Sequence, residues 1–136
     1  MSKLKEQKAK HNFQKHSLGR LNIKLVENQI GQGMSDMICI NRRGTVAWLE
    51  AKAIDNWPVR PSTLPLKNAF EPGQIPFMKE WCSWKGNAYV LLKAEDEFYL
   101  IHPKGQFDVV DMTQAEIRAL SVRSGIEEII TYLEAL

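Results

Sequence analysis

The sequence predicts a single mixed α/β domain, and three observations carry that expectation. The chain has 136 residues and 15.6 kDa, one compact domain's worth, with 44% hydrophobic and 25% charged residues as in ordinary globular proteins. Its periodic segments run helix, strands, helix, strands, helices. Between residues 34 and 53 two strand-like segments are apolar on both faces, which requires covering layers on both sides of a central sheet.

The elements follow in order. Residues 3–16 are helix-compatible, although Leu4 and Phe13 are their only large apolar residues. Leu21, Ile23 and Val26 predict a strand over 21–28, closed by Gly31-Gln32-Gly33. Strands over 34–40 and 45–53 are joined by Asn41-Arg42-Arg43-Gly44. Residues 55–72, with prolines at 58, 61, 65 and 72, form a long irregular loop. A helix with a wide apolar face spans 73–85, and strands follow over 87–94 and 98–102, turning at Glu95-Asp96-Glu97. Thr113 with Glu116 three residues on is a capping box, opening a short helix to Leu120. Ile126, Ile129, Ile130 and Leu133 mark one face of a last helix over 125–136.

Composition excludes several classes. No apolar run is long enough to span a bilayer, and the N-terminus has no signal-peptide core, so a cytoplasmic, membrane-free protein is expected. Cys39 and Cys82 have neither the number nor the spacing of a disulfide framework or a zinc site. Net charge is only +2, but residues 1–24 carry seven Lys/Arg (Lys3, Lys5, Lys8, Lys10, Lys15, Arg20, Lys24) against one acid, Glu6. Residues 95–136 carry three basic and nine acidic side chains. This asymmetry fits an end that meets a polyanion, and equally a solvated basic arm.

The chemistry concentrates in the hairpin. With Arg42-Arg43-Gly44 as a three-residue loop and Gly44 left-handed, Ile40 faces Val46, Ile38 faces Trp48 and Asp36 faces Glu50. Alternation puts Asp36 and Ile38 on one face with Trp48, Glu50 and Lys52. Two carboxylates and an ammonium therefore converge at the open end of the hairpin. Two acids opposite one another repel, and charges in an apolar strand survive when paired or metal-bound. A hard divalent cation, Mg²⁺ or Mn²⁺, between Asp36 and Glu50 answers both problems, with the Ala51 carbonyl as a further oxygen. Lys52 would then steady an attacking water or a developing phosphorane. The plainer reading is a Glu50–Lys52 ion pair on a solvated edge.

Asp36 followed by Glu50-Ala51-Lys52 resembles the signature of the PD-(D/E)XK nuclease superfamily, without its usual proline. Trp48-Leu49-Glu50-Ala51-Lys52, then Leu64-Pro65-Leu66-Lys67-Asn68-Ala69-Phe70, then Gln74-Ile75-Pro76-Phe77-Met78, is similar to RecU-type Holliday junction resolvases. Gly33-Met34-Ser35-Asp36 and a helix opening with Gln74 also resemble the VRR-NUC nucleases. The likeness spans about residues 31–102. It departs at Gly73, where the resolvases have histidine, and in the short run Glu27 to Met34, which has no room for their stalk.

The resemblance implies a restriction-endonuclease-like core, a mixed central β-sheet flanked by helices. It implies a metal-dependent, structure-specific DNA endonuclease. Four-way junctions are the leading substrate, flaps and other branched DNA are the alternative, and a catalytically silent DNA-binding module is the third possibility. Asp36, Glu50, Lys52 and Gln74 would be catalytic, with Mg²⁺ (Mn²⁺ substituting) and no organic cofactor. Superfamily nucleases usually add an acid from the N-terminal helix. Here that helix offers only Glu6, so Glu27 on the next strand is the better-placed ligand candidate, or else a surface strand residue. DNA contacts would come from Lys3, Lys5, Lys8, Lys10, Lys15 and Arg20, with Lys67 either on a phosphate or solvated. Symmetric nicking of a junction implies a homodimer, acting in the cytoplasm (a host's, if phage-encoded). Trp57, Trp81 and Trp84 are open as base-stacking platforms or as core and interface residues.

Overall fold

The computed structural model describes residues 3–26 and 33–136. Among these residues, four α-helices flank a six-stranded mixed sheet. In chain order the elements are α1 (Lys3–His16), β1 (Asn22–Leu25), β2 (Met37–Ile40), β3 (Val46–Ile54), α2 (Gln74–Ser83), β4 (Asn87–Ala94), β5 (Glu97–Ile101), α3 (Gln114–Leu120), β6 (Arg123–Ser124) and α4 (Ile126–Glu134). Spatial order follows chain order, β1-β2-β3-β4-β5-β6. Every neighbouring pair is antiparallel except β3–β4, which α2 links as a parallel crossover.

The hairpin has the expected register: Ile38 opposes Trp48, Ile40 opposes Val46, and Gly44 takes φ +84. Both faces are covered. Met37, Cys39, Ala47, Leu49 and Ala51 pack with Ala9 and Phe13 of α1 and Ile129, Ile130 and Leu133 of α4. Trp48, Val90 and Leu92 pack with Leu66 of the long loop, Met78 of α2 and Ile117 of α3 on the opposite face. The Thr113–Glu116 capping box is present, and each large buried side chain such as Phe13 or Met78 contributes about 1.5–3 kcal/mol.

Two features differ from expectation, and one expectation falls outside the described residues. The first strand is described only over Asn22–Leu25, and the expected 27–28 extension, with Glu27, lies outside the described residues. β6 was not foreseen, because two residues paired to Tyr99 and Leu100 carry no periodicity. The apolar face of α2 is only partly buried, with Met78 enclosed and Trp84 82% exposed.

The hairpin tip also does structural work. Asn41 accepts from the Arg43 and Thr45 backbone N–H groups and donates to the Leu133 carbonyl at 2.9 Å and the Leu136 carbonyl at 3.1 Å. Arg43 donates to the Ala135 carbonyl and Arg42 to that of Gly19. The tip thus takes carbonyls at the C-terminal end of α4 that helical bonding leaves open.

Candidate active site

β3 is nine residues long and β2 only four, so beyond Leu49 the β2–β3 ladder stops. The next inward N–H on that edge, Ala51, donates to Asp36 Oδ1 at 3.1 Å. A carboxylate thus replaces the missing strand partner and fixes Asp36 at the open end of the hairpin. Glu50 and Lys52, on the same face of β3, are 2% and 3% exposed. Lys52 Nζ is 3.5 Å from Glu50 Oε2, donates to Gln74 Oε1 at 3.0 Å and lies 4.9 Å from the centre of the Phe70 ring. Gln74 Nε2 donates to Glu50 Oε2 at 3.3 Å.

Gln74 reaches this point because α2 starts at it. Gly73, at φ +92, is the helix N-cap, and a Cβ on Gly33 (φ +86) would collide with the Gly73 backbone. The histidine expected at 73 by resemblance is thus replaced by a glycine that suits a left-handed, closely packed position.

A cleft of about 330 Å³ opens over these groups, and α1 supplies its far wall with Lys3, Glu6, Gln7 and Lys10. Lys10 Nζ is 3.6 Å from Asp36 Oδ2. Burial pushes the Glu50 carboxyl up to about 8, the Asp36 charge adds to this, and Lys52 opposes it. Burial also raises Asp36, against the pull of Lys10 and the Ala51 N–H, and it raises Glu6. Four acids, Glu6, Asp36, Glu50 and Glu71, and three lysines, Lys3, Lys10 and Lys52, line the cleft.

Asp36, Glu50, Lys52 and Gln74 are brought together as the sequence led us to expect. Among the described residues no three His, Cys, Asp or Glu side chains form a ready-made metal cage. Glu6, passed over in favour of Glu27, lines the cleft, and its charge acts on Glu50. The 3, 6, 7, 10 spacing on α1 is the signal that could have found it.

The expected DNA-binding set divides. Lys3 lines the cleft and Lys10 is buried in it. Lys5 pairs with Asp55, while Lys8, Lys15 and Lys67 are exposed. Arg20 is engaged within the chain: its guanidinium is held by Glu127 at 2.7 Å and Glu134 at 2.6 Å and also bonds Thr131, tying the segment after α1 to α4. Trp57 rests edge-on against Tyr99 under Arg118, and Trp81 stacks on Phe77 beside Trp48. Cys39 is buried, its thiol raised to about 11, which makes it a poor nucleophile.

No protein-family model matches the chain, and no curated protein matches it. Among solved structures it is similar to the Holliday junction resolvase Hjc of Archaeoglobus fulgidus, with TM-score 0.59 and 15% identity over 93% of this chain and 96% of that one. A VRR_NUC domain aligns at TM-score 0.43 and 21% identity over 67% of this chain and 83% of that one. The Hjc superposition gives the fold: a restriction-endonuclease-like core, which fits the superfamily resemblance.

Proposed function

We propose that the protein is a metal-dependent endonuclease acting on branched DNA, with four-way junctions as its leading substrate. The observation that carries the reading is the buried Glu50–Lys52 pair, bridged by Gln74, beside the half-buried Asp36. Such charges are costly to bury in a sheet, and a phosphodiester with a divalent cation is the partner they suit.

The donor set fits Mg²⁺ or Mn²⁺. Mg²⁺ is typically held by one or two carboxylates, with waters and substrate phosphates completing its shell, so no all-protein cage is needed. Asp36, Glu50 and the Ala51 carbonyl would hold the ion, with Glu6 as the third acid in the cleft. When bound, a divalent cation supplies a water of lowered pKa and charge for the developing phosphorane. Lys52 presents a fixed ammonium to the phosphate oxygens, and Gln74 holds it there. Phe70 covers the ammonium and limits water around it. Lys3, at the cleft mouth, and exposed Lys8 and Lys15 on α1 supply salt-sensitive phosphate contacts.

Symmetric nicking of a junction needs two active sites, so we assign a homodimer. The exposed Trp81 and Trp84 side of α2 is its candidate surface.

The test compares a labelled immobile junction with duplex, flap and single-stranded controls, in Mg²⁺ and in EDTA. Paired symmetric nicks confined to the junction and lost in EDTA are expected. Preferential flap cutting would move the substrate class while keeping the site. Tight junction binding without cutting would leave a silent binding module.

A further inference from the structure

We propose that Lys10 is the site's resident cation, holding Asp36 Oδ2 when no divalent ion is bound and giving that oxygen up when one arrives. The inference rests on the divalent site proposed above and concerns how this chain controls it. Lys10 is a helix residue with only 11% of its side chain exposed, and a buried ammonium needs a compensating charge. The carboxylate it faces is Asp36, at 3.6 Å, an ion pair too long for a tight hydrogen bond and therefore easily exchanged.

The two oxygens of Asp36 are not equivalent. Oδ1 is fixed by the Ala51 N–H, so Oδ2 is the one free to ligate an ion, and Lys10 stands in front of it. Lys52 does not compete in this way, because Glu50, Gln74 and Phe70 surround it. Displacement of Lys10 does not require α1 to move. Ala9 and Phe13 on either side are wholly buried and anchor the helix, while the lysine stem can rotate. A displaced ammonium stays useful, because Glu6 lies one turn earlier in the same cleft, where a phosphate would arrive. Lys10 thus sets the ion affinity of the site and keeps Asp36 placed while the site waits.

The test titrates Mn²⁺ into the whole chain, following the free-ion electron paramagnetic resonance signal. Wild type, Lys10→Met, Lys10→Arg and Asp36→Asn are compared, with melting temperature measured with and without Mn²⁺. Removing one unit charge beside the site should tighten Mn²⁺ binding about tenfold in Lys10→Met. Lys10→Arg should stay near wild type. Without metal Lys10→Met should melt lower than wild type, and Mn²⁺ should close the gap. In the wild type the Lys10 ¹³Cε resonance should move on Mg²⁺ saturation and stay put in Asp36→Asn, a readout that survives even if Lys10→Met fails to fold. If Asp36→Asn abolishes Mn²⁺ binding while Lys10→Met binds no tighter, or if the Lys10 resonance does not move, Lys10 has no such role and the divalent site stands. Wild-type Mn²⁺ binding that is absent or indifferent to Asp36→Asn overturns the divalent site and this inference with it.

Discussion

Lys52 Nζ donates to Gln74 Oε1 at 3.0 Å, and the other end of the same amide donates to Glu50 Oε2 at 3.3 Å. One side chain from α2 thereby sets both the ammonium and the carboxylate of β3. It uses its acceptor for the cation and its donor for the anion, the only assignment that satisfies both. Replacing Gln74 by Ala should lower Mg²⁺-dependent cleavage about 10- to 100-fold, the usual cost of removing a partner that orients metal or catalytic groups. DNA affinity should change little. Single-turnover cleavage beside a binding titration separates the two.

Glu50 ties stability to pH. Its folded carboxyl, at about 8, is above the ordinary 4.5, so between those values the native state holds a proton that the unfolded chain has lost. Metal-free stability should therefore fall as pH rises through that window, by at most roughly 5 kcal/mol from this group. Glu50→Gln should flatten the fall and melt above wild type at pH 8. Thermal melts in EDTA from pH 5 to pH 9 check this. Mn²⁺ or Mg²⁺ binding should strengthen over the same window, because the ion displaces that proton.

Gly33 and Gly73 meet backbone to backbone, and both have positive φ. Gly33→Ala should destabilise the fold by roughly 1–3 kcal/mol and, by shifting the start of α2, reduce cleavage as well. Denaturant unfolding and a cleavage assay of the folded fraction measure the two effects.

Arg20→Ala should lower the melting temperature and leave DNA affinity unchanged, since its guanidinium is occupied by Glu127 and Glu134. Asn41→Ala should act similarly, by roughly 1–3 kcal/mol, because buried backbone groups at the hairpin tip and the end of α4 lose their partner. Neither should alter cleavage by the folded protein. Binding titrations with a junction distinguish these ties from phosphate contacts.

The hairpin was legible because its period of two, its left-handed glycine and its apolar strands agree on one register. That register places Glu50 and Lys52 on one face and Asp36 at the hairpin's open end. Gln74 was legible only through its position in a family motif. The wall contributed by α1 was not, because its inward stripe mixes Ala9 and Phe13 for the core with Glu6 and Lys10 for the cleft. A stripe split in that way carries almost no hydrophobic period, and so Glu6 was passed over. The ties of Arg20, Arg42 and Arg43 were not legible, because the carbonyls and carboxylates they reach lie more than 20 residues away, beyond local patterning.

The most direct measurement is the rate at which a four-way junction is nicked in Mg²⁺ by wild type, Glu50→Ala and Lys52→Ala, with junction affinity determined for each protein. The account expects wild-type nicking that EDTA abolishes, a loss of at least about 100-fold in both variants, and affinities within a few-fold of wild type. Equal nicking by all three proteins, or junction binding with no nicking by any of them, would contradict it.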